Sequence, residues 1–128
     1  MATLKMISVE TEGILLRVAL NESSTAQVIG RALPMESVAS RWGGEIYFEI
    51  PVKIPEDEGA REQVEAGEVG YWPPGHAFCI FFGRTPTSRD EKPRAASPVN
   101  IFGKVVGDAT VLQRVKEGSK VTIRSISS

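Results

Sequence analysis

The chain has 128 residues, 41% of them hydrophobic, with 15 lysines and arginines against 16 aspartates and glutamates. That length and apolar content suit one domain, 1–128, built around a single core. A formal net charge of -1 leaves no basic excess to displace counterions from phosphates, so nucleic acid is not an expected partner.

Residues 3–9 alternate in strand fashion, with Leu4, Met6 and Ser8 on one side. Residues 13–20 form a second β-rich run, and Glu10-Thr11-Glu12-Gly13 between them reads as a hairpin turn. The period then changes. Ser24-Thr25-Ala26-Gln27 fits a capping box, and Ala26, Ile29 and Leu33 follow at helical spacing with Val28 and Ala32. Pro34 ends that helix, because it lacks an N–H and turns Leu33 away from α geometry.

Residues 37–42 and 45–50 read as strands around Gly43-Gly44. In the second, Ile46, Phe48 and Ile50 share a buried face, opposite a polar face of Glu45, Tyr47 and Glu49. Residues 55–67 are polar and acidic, expected as a solvated excursion with one helical turn near 61–65. Residues 68–72 and 76–82 are the next strands, joined by Pro73-Pro74-Gly75. Ala77-Phe78-Cys79-Ile80-Phe81-Phe82 is apolar on both faces, which implies cover on both sides. Residues 83–98 carry Pro86, Pro93 and Pro98 and read as one long loop. Residues 99–106 are a strand. Asp108 caps a short helix with Val111, Leu112 and Val115, closed by Gly118, and 120–126 is the last strand. The expected fold is mainly β: a closed barrel of about eight strands with two short α-helices.

This element order resembles that of cyclophilins. The most specific local match is Val99-Asn100-Ile101-Phe102-Gly103-Lys104-Val105-Val106 with the helix after it, which resembles the F-G-K-V strand and helix near the cyclophilin C-terminus. Gly67-Glu68-Val69-Gly70-Tyr71-Trp72-Pro73-Pro74-Gly75, running into the apolar strand, is similar to a hallmark of a family of small prokaryotic cyclophilin-like proteins. Trp42-Gly43-Gly44-Glu45-Ile46-Tyr47-Phe48 matches that family's W-G-x-E-I-Y-F stretch. The resemblance spans almost the whole chain. It implies a fold and no settled activity.

Prolyl isomerisation is the enzyme reading that the resemblance suggests. Cyclophilins use an arginine beside an apolar pocket to stabilise a twisted amide. Here Arg41 in Ser40-Arg41-Trp42 is the one candidate donor, and a one-residue slip in register would aim it outward. The F-M-x-Q segment has no equivalent, Phe78-Cys79 stands near the F-F position, and residues 85–98 hold neither Trp nor His. Weak isomerase activity is therefore the alternative, and binding is the leading reading.

Other chemistries find little support. His76 is the only histidine, and no G-x-S-x-G elbow accompanies it. One His and one Cys cannot supply a structural zinc site, so no metal is expected. No glycine pattern forms a phosphate cradle, and no cofactor is expected. Cys79 reads as an inert core thiol. The most unusual segment is Tyr71-Trp72-Pro73-Pro74, a stiff amphipathic wall suited to a small molecule or peptide. The expected site is a pocket on the barrel flank lined by Arg41, Trp42, Tyr47, Tyr71, Trp72, His76 and Phe78, with residues 83–98 as its rim. A third reading is a structural or dimerising protein, and the expected state is a monomer or weak homodimer.

No apolar run approaches the ~20 residues of a spanning helix, so no membrane partner is expected. Met1-Ala2-Thr3-Leu4-Lys5 lacks a signal-peptide pattern, and a single cysteine suits a reducing compartment. Together these give a cytoplasmic expectation.

Overall fold

Two-residue alternation carries nearly half of the described residues into strands, and the computed structural model, which describes residues 5–126, contains ten. They are β1 (Met6–Thr11), β2 (Ile14–Leu20), β3 (Met35–Val38), β4 (Ser40–Arg41), β5 (Glu45–Glu49), β6 (Arg61–Gln63), β7 (Glu68–Trp72), β8 (Ala77–Phe81), β9 (Arg94–Val106) and β10 (Lys120–Ile126). One α-helix, α1 (Ser24–Arg31), follows β2, and 3-10 helices span Pro73–Gly75 and Ala109–Arg114. The expected positions of Thr3 and Leu4 in the first strand lie outside the described residues.

Nine strands hydrogen-bond in the order β3-β10-β1-β2-β9-β7-β8-β5-β4, with every pairing antiparallel. The two end strands, β3 and β4, are separated in the chain by Ala39 alone. The sheet therefore curls until its ends meet, and the chain itself makes the joint. The expected barrel is not closed by ladder hydrogen bonds. At the seam, buried Ala39 donates its N–H to the Ser119 carbonyl and accepts from the Gly118 N–H, both at 2.8 Å. Ser37 Oγ donates to the Glu49 carbonyl at 2.6 Å, tying β3 to β5 across the same seam.

Inward-facing residues of nearly all the strands form one core. Phe78 is its centre: its ring stacks on Phe48 and meets Phe102 edge-on, each with a centroid distance of 4.8 Å. Ala26 and Ile29 of α1, and Ala109 and Leu112 of the second 3-10 helix, bury themselves in the same core.

Local differences from the sequence reading have simple causes. The cap of α1 is Ser23, one residue earlier than expected, and its Oγ accepts from the Ala26 N–H at 3.1 Å. Ser23 is preferred because Asn21 Oδ1 accepts from both its N–H and its hydroxyl, fixing the capping rotamer. Asp108 does cap, accepting from the Thr110 N–H at 2.9 Å, but the turn after it is 3-10 in geometry.

The helical turn expected near 61–65 is instead β6, and the loop expected over 83–98 ends where β9 begins at Arg94. These two differences share one origin. β9 has 13 residues and two sets of partners. From Asn100 onward it pairs with β7 and β2 in the main sheet. Before that it pairs with β6, Arg61 opposite Val99 and Gln63 opposite Arg94. This two-stranded ribbon lies over the outer face of the sheet. A second apolar cluster fills the space between: Val64, Ala77, Cys79, Phe81, Ala95 and Val99, with Tyr47, Trp72 and Ile101 packed against it. Its Phe81 and Cys79 supply the second covered face that the all-apolar β8 implied. Ion pairs of Arg61 with Glu68 (2.8 Å) and Arg94 with Glu62 (2.5 Å) edge the ribbon.

Candidate functional site

The outer face of β5 and β8 carries the site. Alternation along β5 sends Ile46 and Phe48 into the main core and leaves Glu45 and Tyr47 on the other face. Across the ladder Tyr47 stands opposite Cys79 and Glu45 opposite Phe81. β7 adds Trp72, opposite Ala77. The ribbon half of β9 forms the roof with Ala95, Ala96 and Val99. Together with Trp42, these elements enclose a cavity of about 190 Å³ lined by Trp42, Glu45, Tyr47, Trp72, Cys79, Ala95, Ala96 and Val99. An open depression lies on the far side of Tyr47 and Trp72, which it shares, and it extends past Ser37, Ser40 and Glu49.

Close backbone approaches set this geometry. Gly44, just before Glu45, donates to the Arg84 carbonyl at 2.7 Å, and its carbonyl accepts from the Phe82 and Gly83 N–H groups. A Cβ on Gly44 would collide with the Gly83 backbone. Gly70 has a similar role below the roof, since a Cβ there would stand 2.8 Å from Val99 Cγ2. Trp72 is held at both ends: its Nε1 donates to Ser97 Oγ at 2.6 Å, and its ring lies where a Cβ on Gly75 would be.

Glu45 is the chemically distinctive group. The residue is only 5% exposed, and burial pushes its carboxyl up from the ordinary 4.5 to about 7, with the neighbouring Cys79 thiol pulling the other way. The carboxyl therefore exchanges its proton near neutral pH and can both donate and accept. Burial, reinforced by the nearby Glu45 carboxylate, pushes the Cys79 thiol well above its ordinary range. A neutral, enclosed thiol is a poor nucleophile. In the native protein at pH 8, Cys79 is expected to react with a maleimide roughly 100-fold more slowly than in urea; comparable rates would contradict this burial. Among the described residues, no group of three or more His, Cys, Asp or Glu is placed to hold a metal ion.

Three of the seven residues expected to form the pocket meet at the cavity: Trp42, Tyr47 and Trp72. Tyr71 and Phe78 instead face the main core and are fully buried. Tyr71 Oη donates to the Val52 carbonyl at 2.8 Å and accepts from the Ile54 N–H at 3.1 Å. His76 is the left-handed residue that ends the Pro73–Gly75 turn, at φ 49°. Arg41 lies at the seam: its guanidinium donates to the carbonyls of Val115 (2.9 Å), Gln113 (3.1 Å) and Gly43 (3.1 Å) and sits over the Phe82 ring, 5.2 Å from its centroid. The sequence reading missed Glu45, Cys79 and the β9 roof. The available signal was the all-apolar strand beside β5, which implied a cover over the outer face where Glu45 stands opposite Phe81.

Among the described residues, no helix is long and apolar enough to cross a membrane. A family model described as Cyclophilin-like matches residues 5–124. The solution structure of a hypothetical protein from Archaeoglobus fulgidus is similar to the chain at 38% identity, with a TM-score of 0.84 and 98% of each chain covered. No curated protein matches the sequence.

Proposed function

The chain belongs to the cyclophilin-like family, and on that scaffold we propose that it is a binding domain for a small molecule, or for one side chain of a peptide, at the outer cavity. The observation that carries this reading is Glu45. A carboxyl held away from water in an apolar enclosure costs stability, and none of the lysines, arginines or the histidine lines the cavity to offset that cost. Such perturbed groups concentrate where function requires them. The walls support the same reading, since Trp42, Tyr47 and Trp72 present broad amphipathic faces. At about 190 Å³ the cavity suits a compact group, with the adjoining depression open to a tail.

Arg41 favours binding over prolyl isomerisation. Its two terminal nitrogens, Nη1 and Nη2, donate to three backbone carbonyls, and it is not among the cavity residues. The reading takes the protein as cytoplasmic and as a monomer or weak homodimer.

A fragment library screened by NMR tests the proposal. The chain has two tryptophans, and both line the cavity, so a bound fragment is expected to shift both indole N–H signals. Trp72→Ala is expected to weaken the best fragment by about 10-fold or more, the loss of one central aromatic contact. Hits that leave both indoles unmoved, or bind Trp72→Ala equally well, would defeat it.

A further inference from the structure

Three aromatic side chains and one buried carboxyl around a compact cavity match the chemistry of an organic cation, and we propose that this site takes an alkylammonium group, with Trp42, Tyr47 and Trp72 as the aromatic walls and Glu45 as the counter-ion. The inference rests on the cavity being a binding site and names the class of its ligand.

Aromatic faces carry negative electrostatic potential and attract a cation most strongly when water is excluded. The remaining wall is apolar or uncharged: Cys79 from β8, and Ala95, Ala96 and Val99 from β9. No lysine, arginine or histidine on the wall competes for the carboxylate. An ammonium group arriving there would supply the missing opposite charge and remove the main penalty on ionised Glu45. A metal cation is a poor fit, because hard cations need several oxygen ligands and the wall offers one carboxyl.

The groups facing Glu45 fix the pH response. On the cavity wall they are Cys79 from β8, held neutral by burial, and Tyr47 on the same strand as Glu45; the β9 residues lining the cavity, Ala95, Ala96 and Val99, carry no charge. Tetramethylammonium has no proton to lose, so any pH dependence in its binding between 5 and 8 reports the protein. It should bind with the ionised carboxylate, so affinity should rise with pH. With the carboxyl titrating at about 7, the gain between pH 6 and pH 8 is on the order of 10-fold.

The experiment compares choline with 3,3-dimethyl-1-butanol, its uncharged carbon isostere, and follows tetramethylammonium across pH. The readout is the two indole N–H signals, with chloride concentration held constant by sodium chloride. Choline is expected to bind at least 10-fold more tightly than the isostere at pH 8, and Glu45→Gln is expected to erase that preference. Equal binding of the two probes, or a preference that survives Glu45→Gln, overturns the cation inference and leaves the cavity reading standing. Affinity for tetramethylammonium that falls as pH rises also overturns it. Failure of both probes overturns the cation inference; failure of every fragment as well removes the binding site.

Discussion

At pH 8, Glu45→Gln is expected to be about 2–3 kcal/mol more stable than the parent protein, with the advantage gone by pH 4.5. The sign follows from where the proton sits. Burial raises the folded carboxyl to about 7, against an ordinary 4.5. Between those values the folded state holds a proton that the unfolded chain has released. Stability from this group is therefore complete below about 4.5. It falls by about 1.4 kcal/mol per pH unit as pH rises toward 7, and levels off above. Gln keeps the shape and removes the ionisation, so the slope should vanish. Urea midpoints at pH 4.5, 6 and 8 check this, and parallel profiles for the two proteins would show that Glu45 is not desolvated. Glu68 does not obscure that window. Burial is the largest single influence on the Glu68 carboxyl and pushes it up, but the hydrogen bonds from Arg61 and the Glu65 N–H and the charges of Arg61 and Lys104 together outweigh it and hold Glu68 below its ordinary value. Its contribution is thus lost at more acidic pH. A bound cation should reverse the Glu45 effect, making the parent more stable than the variant at pH 8.

Phe78→Ala is expected to cost about 3–5 kcal/mol, the range for deleting a large buried aromatic. Phe78 is fully buried and touches both Phe48 and Phe102, so removing it unsupports rings on β5 and β9 together. Those strands also provide the floor and roof of the outer cavity, and the same substitution is expected to weaken ligand binding there without touching a ligand. Thermal unfolding measures the first effect. A loss below about 1 kcal/mol would mean that the two remaining rings, Phe48 and Phe102, repack around the vacancy.

The β class, the core face of β5 and the family were legible because they rest on short-range patterns. Ile46 and Phe48 announce an inward face by alternation, and the motifs around Trp42 and Tyr71 are contiguous in the chain. The site was only half legible because it is made by a long-range contact. Glu45 reads as solvated beside Tyr47 and Glu49 until β6 and the first half of β9 are laid across it. The sequence of β6, Arg61-Glu62-Gln63, carries no apolar alternation, and the segment 83–98 is rich in proline. Neither looks like the roof of a core. Arg41 shows the opposite case: its local pattern suggested a donor in a pocket, and the seam, a feature of sheet closure, claimed its guanidinium. Tyr71 and Phe78 were placed on the outer wall by their neighbours in sequence, although adjacent residues of a strand point to opposite faces.

The two allegiances of β9 bear on how the site opens. Asn100 marks the boundary between its halves: Nδ2 donates to Thr25 Oγ1 (3.2 Å) and the Pro55 carbonyl (3.0 Å), and Oδ1 accepts from the Asp57 N–H (2.8 Å). Residues beyond this clamp pair with β7 and β2, whereas residues before it have only the three-residue β6 as a ladder partner, with Ser97 tied to Trp72 and Ala95 and Val99 packed beneath. The outer half-strand is therefore expected to open at lower cost than the inner half. Amide exchange would register this as two tiers of protection along one continuous strand, and a guest could enter without any global unfolding.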